Sequence, residues 1–177
     1  MDKDLRVIHQ SLGIPPDYID MTLLTAQSTP TDLVSIGVDV YGRPQRLRQP
    51  AARAWTAMQQ QAFLAGVEIQ VVSAYRSLEY QVELIQRLLE QGQEINDILT
   101  RVAAPGYSEH QSGCALDLTT PSSADCEEEF ENTDAFRWLQ QSAAEFEFYL
   151  SYSRDNPYGV IYEPWHWCYK ALEPEVE

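Results

Sequence analysis

Apolar positions recur along the chain with two different periods, and the changes of period mark the elements. From Pro50 to Ala65, the residues Ala54, Trp55, Met58, Ala62 and Ala65 return every three to four positions. Pro50 suits a helix start and Gly66 its end, so the spacing predicts an amphipathic helix. Val67 to Ala74 is β-branched and partly alternating, which predicts a strand stopping at Tyr75-Arg76-Ser77. Ser77 can cap a second helix over 78–91, with Val82, Ile85, Leu88 and Leu89 on one side and Gly92 at its end. A short helix is expected around 94–101.

The segment 104–113 is rich in turn formers, whereas Cys114 to Thr119 reads as a buried strand, so a loop feeds a core strand there. Thr133 or Asp134 can cap a helix over 134–146 that turns Phe136, Leu139, Ala143 and Phe146 inward. Phe148 to Tyr152 and Trp165 to Tyr169 are aromatic, strand-like pieces joined by turn-rich sequence, and an antiparallel pair is expected. Residues 1–49 are punctuated by Pro15, Pro16, Pro30, Gly37, Gly42 and Pro44 and read as an N-terminal wrap with one or two short strands. With helices collected early and strands late, the fold class is α+β, helices packed on a small antiparallel sheet. A single domain over 1–177 is expected, the wrap being 1–49 and the catalytic core 50–170.

Composition narrows the chemistry. A 177-residue chain with 44% hydrophobic residues fits one compact core. Its formal net charge of −15 argues against nucleic acid and anionic membrane surfaces as partners, since both carry the same sign. No stretch approaches the roughly 20 apolar residues of a membrane helix, and the start lacks the basic-then-apolar pattern of a secretory signal. Cys114, Cys126 and Cys168 are odd in number and have no CxxC spacing, so they read as reduced core residues. The acidic run 125–131 reads as a solvated loop or helix start.

Asp117 lies between Leu116 and Leu118 in the core strand, and an ionised carboxylate buried there costs several kcal/mol unless a positive group meets it. An arginine is one candidate for that group and a metal ion another. His110, seven residues earlier in a glycine-flanked loop, can fold back toward Asp117. His166 faces away from Trp165 and Trp167 by strand alternation. Two histidines and an aspartate would leave the fourth position of a tetrahedral zinc open, a catalytic arrangement rather than a structural one. Glu163 then stands as the candidate base, three residues before His166 with Pro164 between them. Taken singly, each of these side chains has an ordinary structural explanation.

Together, the segments Ser73–Ser77 (SAYRS), Ser108–Asp117 (SEHQSGCALD) and Glu163-Pro164-Trp165-His166 resemble the SxHxxGxAxD and ExWH patterns, with the upstream YRS element, of the VanY-type D-alanyl-D-alanine carboxypeptidases of the LAS metallopeptidase family. The resemblance covers roughly residues 65–170 and implies the Hedgehog/D-Ala-D-Ala peptidase-like fold. It implies zinc ligands at His110, Asp117 and His166, a catalytic base at Glu163, and substrate contacts from Arg76, Gln81 and Ser108. Arg76 would hold a terminal carboxylate, for which a guanidinium is suited by its paired donors. One departure is Glu147 in Phe146-Glu147-Phe148, where relatives often show a small residue; it puts the local backbone in question. Cys168 is a possible competitor for the metal.

The function this implies is a zinc carboxypeptidase that removes the C-terminal D-alanine from peptidoglycan stem peptides by attack of a zinc-activated water. L,D-carboxypeptidase, D-Ala-D-Ala dipeptidase and cell-wall endopeptidase activities share the same chemistry. A zinc-dependent peptide- or glycan-binding module is the alternative of another class, and an intact Glu163 argues against it. The resemblance leads to an expected location in the cell envelope, while the sequence leaves the compartment open.

Overall fold

The structure is a computed structural model and describes residues 2–171. Helix α1 spans Asp2–Ser11 and a single turn, α2, spans Tyr18–Met21. Strands β1 (Leu33–Val38) and β2 (Pro44–Arg48) form an antiparallel hairpin, and β2 runs directly into helix α3, Gln49–Leu64. Then follow β3 (Gln70–Ser73), α4 (Leu78–Glu90), α5 (Ile95–Leu99), β4 (Ala115–Thr119), α6 (Asp134–Ser142), β5 (Phe148–Leu150) and β6 (His166–Tyr169). Short 3-10 turns lie at Glu109–Ser112, Glu128–Asn132 and Ala143–Phe146.

The central sheet has four antiparallel strands in the order β3-β4-β6-β5. β4, one of its two inner strands, is buried at every position, Asp117 and Thr119 included. One face packs on α3 and α6 through Trp55, Met58, Leu116, Leu118, Phe136 and Leu139, giving the α+β layering expected from the sequence. A second cluster joins Leu12 and Ile14 to Ile85, Ile98, Ala104 and Tyr107, so the N-terminal segment seals the far side of α4 and α5.

Local signals set the element ends. Ser77 Oγ accepts from Tyr80 N at 3.2 Å and Thr133 Oγ1 from Phe136 N at 3.1 Å, each starting its helix. The helix expected over 134–146 stops at Ser142 and tightens into the 3-10 turn, which ends at Glu147 in the left-handed region. The strand expected from Val67 begins only at Gln70, because Val67 N bonds back to Ala62 O to close α3. Ala65 lies past the helix end and is exposed rather than inward.

The N-terminal wrap contains two strands, within the one or two expected, and also α1, a helix of ten residues that was not expected there. Leu5, Ile8 and Leu12 carry its apolar stripe, which packs on the second cluster. Buried His9 reaches Pro105 O at 2.8 Å, tying α1 to the loop that leads into the 3-10 turn at Glu109. All three cysteines are free. Cys168 is buried, and Cys114 and Cys126 are partly buried and pack against the core, with Cys126 also lining the cleft described below. Among the described residues no helix is long and apolar enough to cross a membrane.

Candidate metal centre and cleft

Strand register builds the site. Asp117 on β4 lies opposite Ser73 on β3 and opposite His166 on β6, so three polar side chains share one row across the sheet. Arg76 follows β3 at its end and folds back, its Nε donating to Ser73 Oγ at 2.9 Å and its Nη2 to Asp117 Oδ2 at 2.5 Å. His110 arrives from the 3-10 turn that Gly113 ends at φ 72°. Its Nδ1 lies 2.6 Å from Ala74 O and donates there, which leaves Nε2 facing Asp117 Oδ2 at 3.1 Å.

His166 presents its other nitrogen. Nδ1 is 3.1 Å from Asp117 Oδ1, while Nε2 is 2.9 Å from Glu109 Oε2. One ligand-type atom from each of His110, Asp117 and His166 lies within 4.8 Å of the others, and all three residues are buried. Zinc ligands at about 2.0–2.1 Å in a tetrahedron stand roughly 3.3 Å apart. The two His–Asp separations of 3.1 Å, one to each Asp117 oxygen, come near that spacing. The donor set, two imidazoles and a carboxylate, suits zinc as well.

Electrostatics follow from burial against charge. His110 is pushed down to about 4, by burial first and then by the Arg76 charge, so its imidazole stays neutral with a lone pair to offer. Asp117 meets a burial penalty that would raise it, but the Arg76 charge and the hydrogen bond with His166 outweigh this and hold it well below the usual carboxylate range. Burial would lower His166, yet hydrogen bonds to Asp117 and Glu109 raise it to about 10. The pocket therefore demands positive charge at its centre, which a divalent cation also supplies. Glu163 is raised to about 7, chiefly by burial. Its Oε2 lies 3.9 Å from His166 Nδ1, and its backbone N–H is held by Tyr152 O at 3.0 Å.

A cleft of about 300 Å³ opens over these groups, and all seven residues singled out in the sequence line it: Arg76, Gln81, Ser108, His110, Asp117, Glu163 and His166. Gln81 donates from Nε2 to Ala103 O at 2.8 Å, and its buried Oε1 has no partner among the described residues. Arg76 is committed to Asp117 and Ser73 through Nη2 and Nε, while Nη1 makes no hydrogen bond among the described residues. The arginine partner that an isolated buried aspartate would require is thus present beside the His-Asp-His group.

Sequence reasoning missed several neighbours. Glu109 sits beside His110 inside the recognised motif, but nothing in its spacing pointed to His166. Tyr152 places its ring 4.8 Å from that of His166, and Arg101 and Cys126 also line the cleft. Cys168, considered as a competing ligand, is two pairs further along β6, opposite Ala115, and is not part of the His-Asp-His group.

The sequence model of the VanY family, D-alanyl-D-alanine carboxypeptidase, matches residues 44–172. The putative carboxypeptidase YodJ of Bacillus subtilis (strain 168) is 28% identical over 172 residues, covering 93% of this chain. This chain spans 59% of the length of that relative. The fold is similar to that of the LdcB LD-carboxypeptidase (TM-score 0.71, 31% identity, 80% of this chain and 69% of that one). It is also similar to a mutant of the vancomycin resistance D,D-pentapeptidase VanY from a VanB-type cassette, in complex with Zn(II) (TM-score 0.62, 27% identity, 84% and 87% of the two chains).

Proposed function

This chain belongs to the VanY family of D-alanyl-D-alanine carboxypeptidases, and we propose that it is a zinc-dependent carboxypeptidase that removes the C-terminal D-alanine from peptidoglycan stem peptides. The observation that carries this reading is the convergence of His110, Asp117 and His166 on one point with Glu163 beside them at the floor of a cleft. His110 through Nε2, His166 through Nδ1 and the Asp117 carboxylate would hold the metal. Zinc in such a centre polarises a peptide carbonyl and makes a water nucleophilic at neutral pH.

The protein's own groups do the rest. Glu163, raised to about 7, is poised to accept a proton from the attacking water and pass it to the leaving amine near neutrality. Arg76 offers Nη1 at the cleft wall for the terminal carboxylate, with its charge held in place by Ser73 and Asp117. The unpartnered Oε1 of Gln81 suits a peptide N–H of the substrate, and Ser108, on the same wall, supplies a hydroxyl.

Mass spectrometry of products from synthetic tri-, tetra- and pentapeptide stems, with metal analysis of the same protein, tests the reading. The pentapeptide should lose one alanine. Glu163→Ala should keep zinc and lose turnover roughly 100- to 10,000-fold, the usual contribution of a positioned acid–base group; full activity in that variant overturns the mechanism. A second reading, L,D-carboxypeptidase, is favoured by the 31% identity to the LdcB LD-carboxypeptidase. Cleavage of the tetrapeptide with the pentapeptide left intact would select it.

A further inference from the structure

We infer that Glu109 is a positioning residue that fixes the metal-binding tautomer of His166, an inference that rests on the metal centre proposed above. The His166 ring is almost wholly buried, so both its nitrogens must find partners inside the protein. In the neutral ring that a metal requires, two carboxylates compete for the one remaining proton. Asp117 Oδ1 stands 3.1 Å from Nδ1, and Glu109 Oε2 stands 2.9 Å from Nε2.

The competition decides whether the ring can bind a metal. A neutral imidazole has one N–H and one lone pair. With the proton on Nδ1, donated to Asp117, the lone pair points away from His110 and toward Glu109, and no ligand faces the cleft. With the proton on Nε2, donated to Glu109, the Nδ1 lone pair points at the place where His110 and Asp117 converge. Glu109 therefore selects the productive form, and without it the buried Nε2–H would have no acceptor, which favours the proton moving to Nδ1.

Placement adds rigidity to this choice. Glu109 and His110 are consecutive on the same 3-10 turn, so one turn supplies the first histidine ligand and orients the second across 57 residues of sequence. The carboxylate is itself held: its Oε1 lies 3.3 Å from Lys170 Nζ, just beyond the end of β6. The His166 ring is bracketed by His110 and Tyr152, with ring centres 4.9 and 4.8 Å away, which leaves the hydrogen bond at Nε2 to set which edge faces the metal.

The test is zinc affinity, measured by competition with a chromophoric chelator, together with nitrogen-15 NMR of the His166 ring in the zinc-loaded protein. Glu109→Ala should weaken zinc binding about 10- to 100-fold, as removal of such outer partners generally does. Glu109→Gln, whose side-chain carbonyl can still accept from Nε2–H, should recover most of that loss. In the wild-type protein the ring proton should reside on Nε2, a readout that needs no variant to fold. Unchanged affinity in Glu109→Ala, equal losses in both variants, or a ring proton on Nδ1 would overturn the inference while leaving the peptidase reading intact. A wild-type protein that binds no zinc would instead remove the metal centre on which both stand.

Discussion

Glu147 shows how one residue can carry a backbone cost in this fold. It ends the 3-10 turn after α6 at φ 60° and ψ 23°, a left-handed conformation that glycine adopts freely and other residues at roughly 1–2 kcal/mol. Its carbonyl accepts from Lys170 N at 2.8 Å, so the turn is fastened to the chain just after β6. A β-branched side chain is the worst tenant of such a site. Glu147→Val should lower unfolding free energy by about 1–2 kcal/mol in urea, while Glu147→Gly should be neutral or stabilising. Equal losses from both would show that the glutamate side chain, not its backbone, matters there.

At the scale of elements, the β1–β2 hairpin and the turn carrying His110 meet at Gly113. The glycine has φ 72°, and a Cβ added there would lie 3.0 Å from Arg48 Cγ and from Leu33 Cδ2 and 3.2 Å from Pro30 Cγ. Its carbonyl accepts from Arg48 N at 2.8 Å, so hairpin and turn share a hydrogen bond as well as close packing. Gly113→Ala combines left-handed strain with this crowding and should cost about 2 kcal/mol or more in stability. Because the turn holds His110, zinc affinity should fall in the same variant. A chelator titration and a thermal melt of one preparation check both.

For the whole molecule, pH and metal are linked through the buried site. The pKa of His166 is raised in the folded protein, from 6.5 to about 10, so the stability it contributes is complete below about 6.5 and lost as pH rises toward 10. Glu163, raised from 4.5 to about 7, likewise loses its share as pH rises between those values. His110, lowered from 6.5 to about 4, acts oppositely and gains stability over that rise. These last two offset one another in acid, and from about pH 7 to 9 the loss from His166 leads among the groups of the site. Zinc needs His166 unprotonated at Nδ1, so the stabilisation by metal should grow over the same window. The gap between melting temperatures with excess zinc and with chelator should widen from about pH 7 to pH 9; a gap that narrows would exclude His166 as a ligand.

The sequence by itself determined the helices over α3 and α4, the buried strand at β4 and the late aromatic pair. It also carried the seven residues that line the cleft, because periodicity, capping and motif spacing are local properties written in consecutive side chains. It did not reveal α1, whose short apolar stripe is stabilised by packing against residues about a hundred positions away. Only the tertiary structure decided that His110 Nε2 and His166 Nδ1 face Asp117, that Arg76 leans on Asp117, and that Glu109 reaches His166. Those choices depend on strand register and on contacts spanning 36 to 57 residues, distances over which a linear pattern holds no information about which atom faces which.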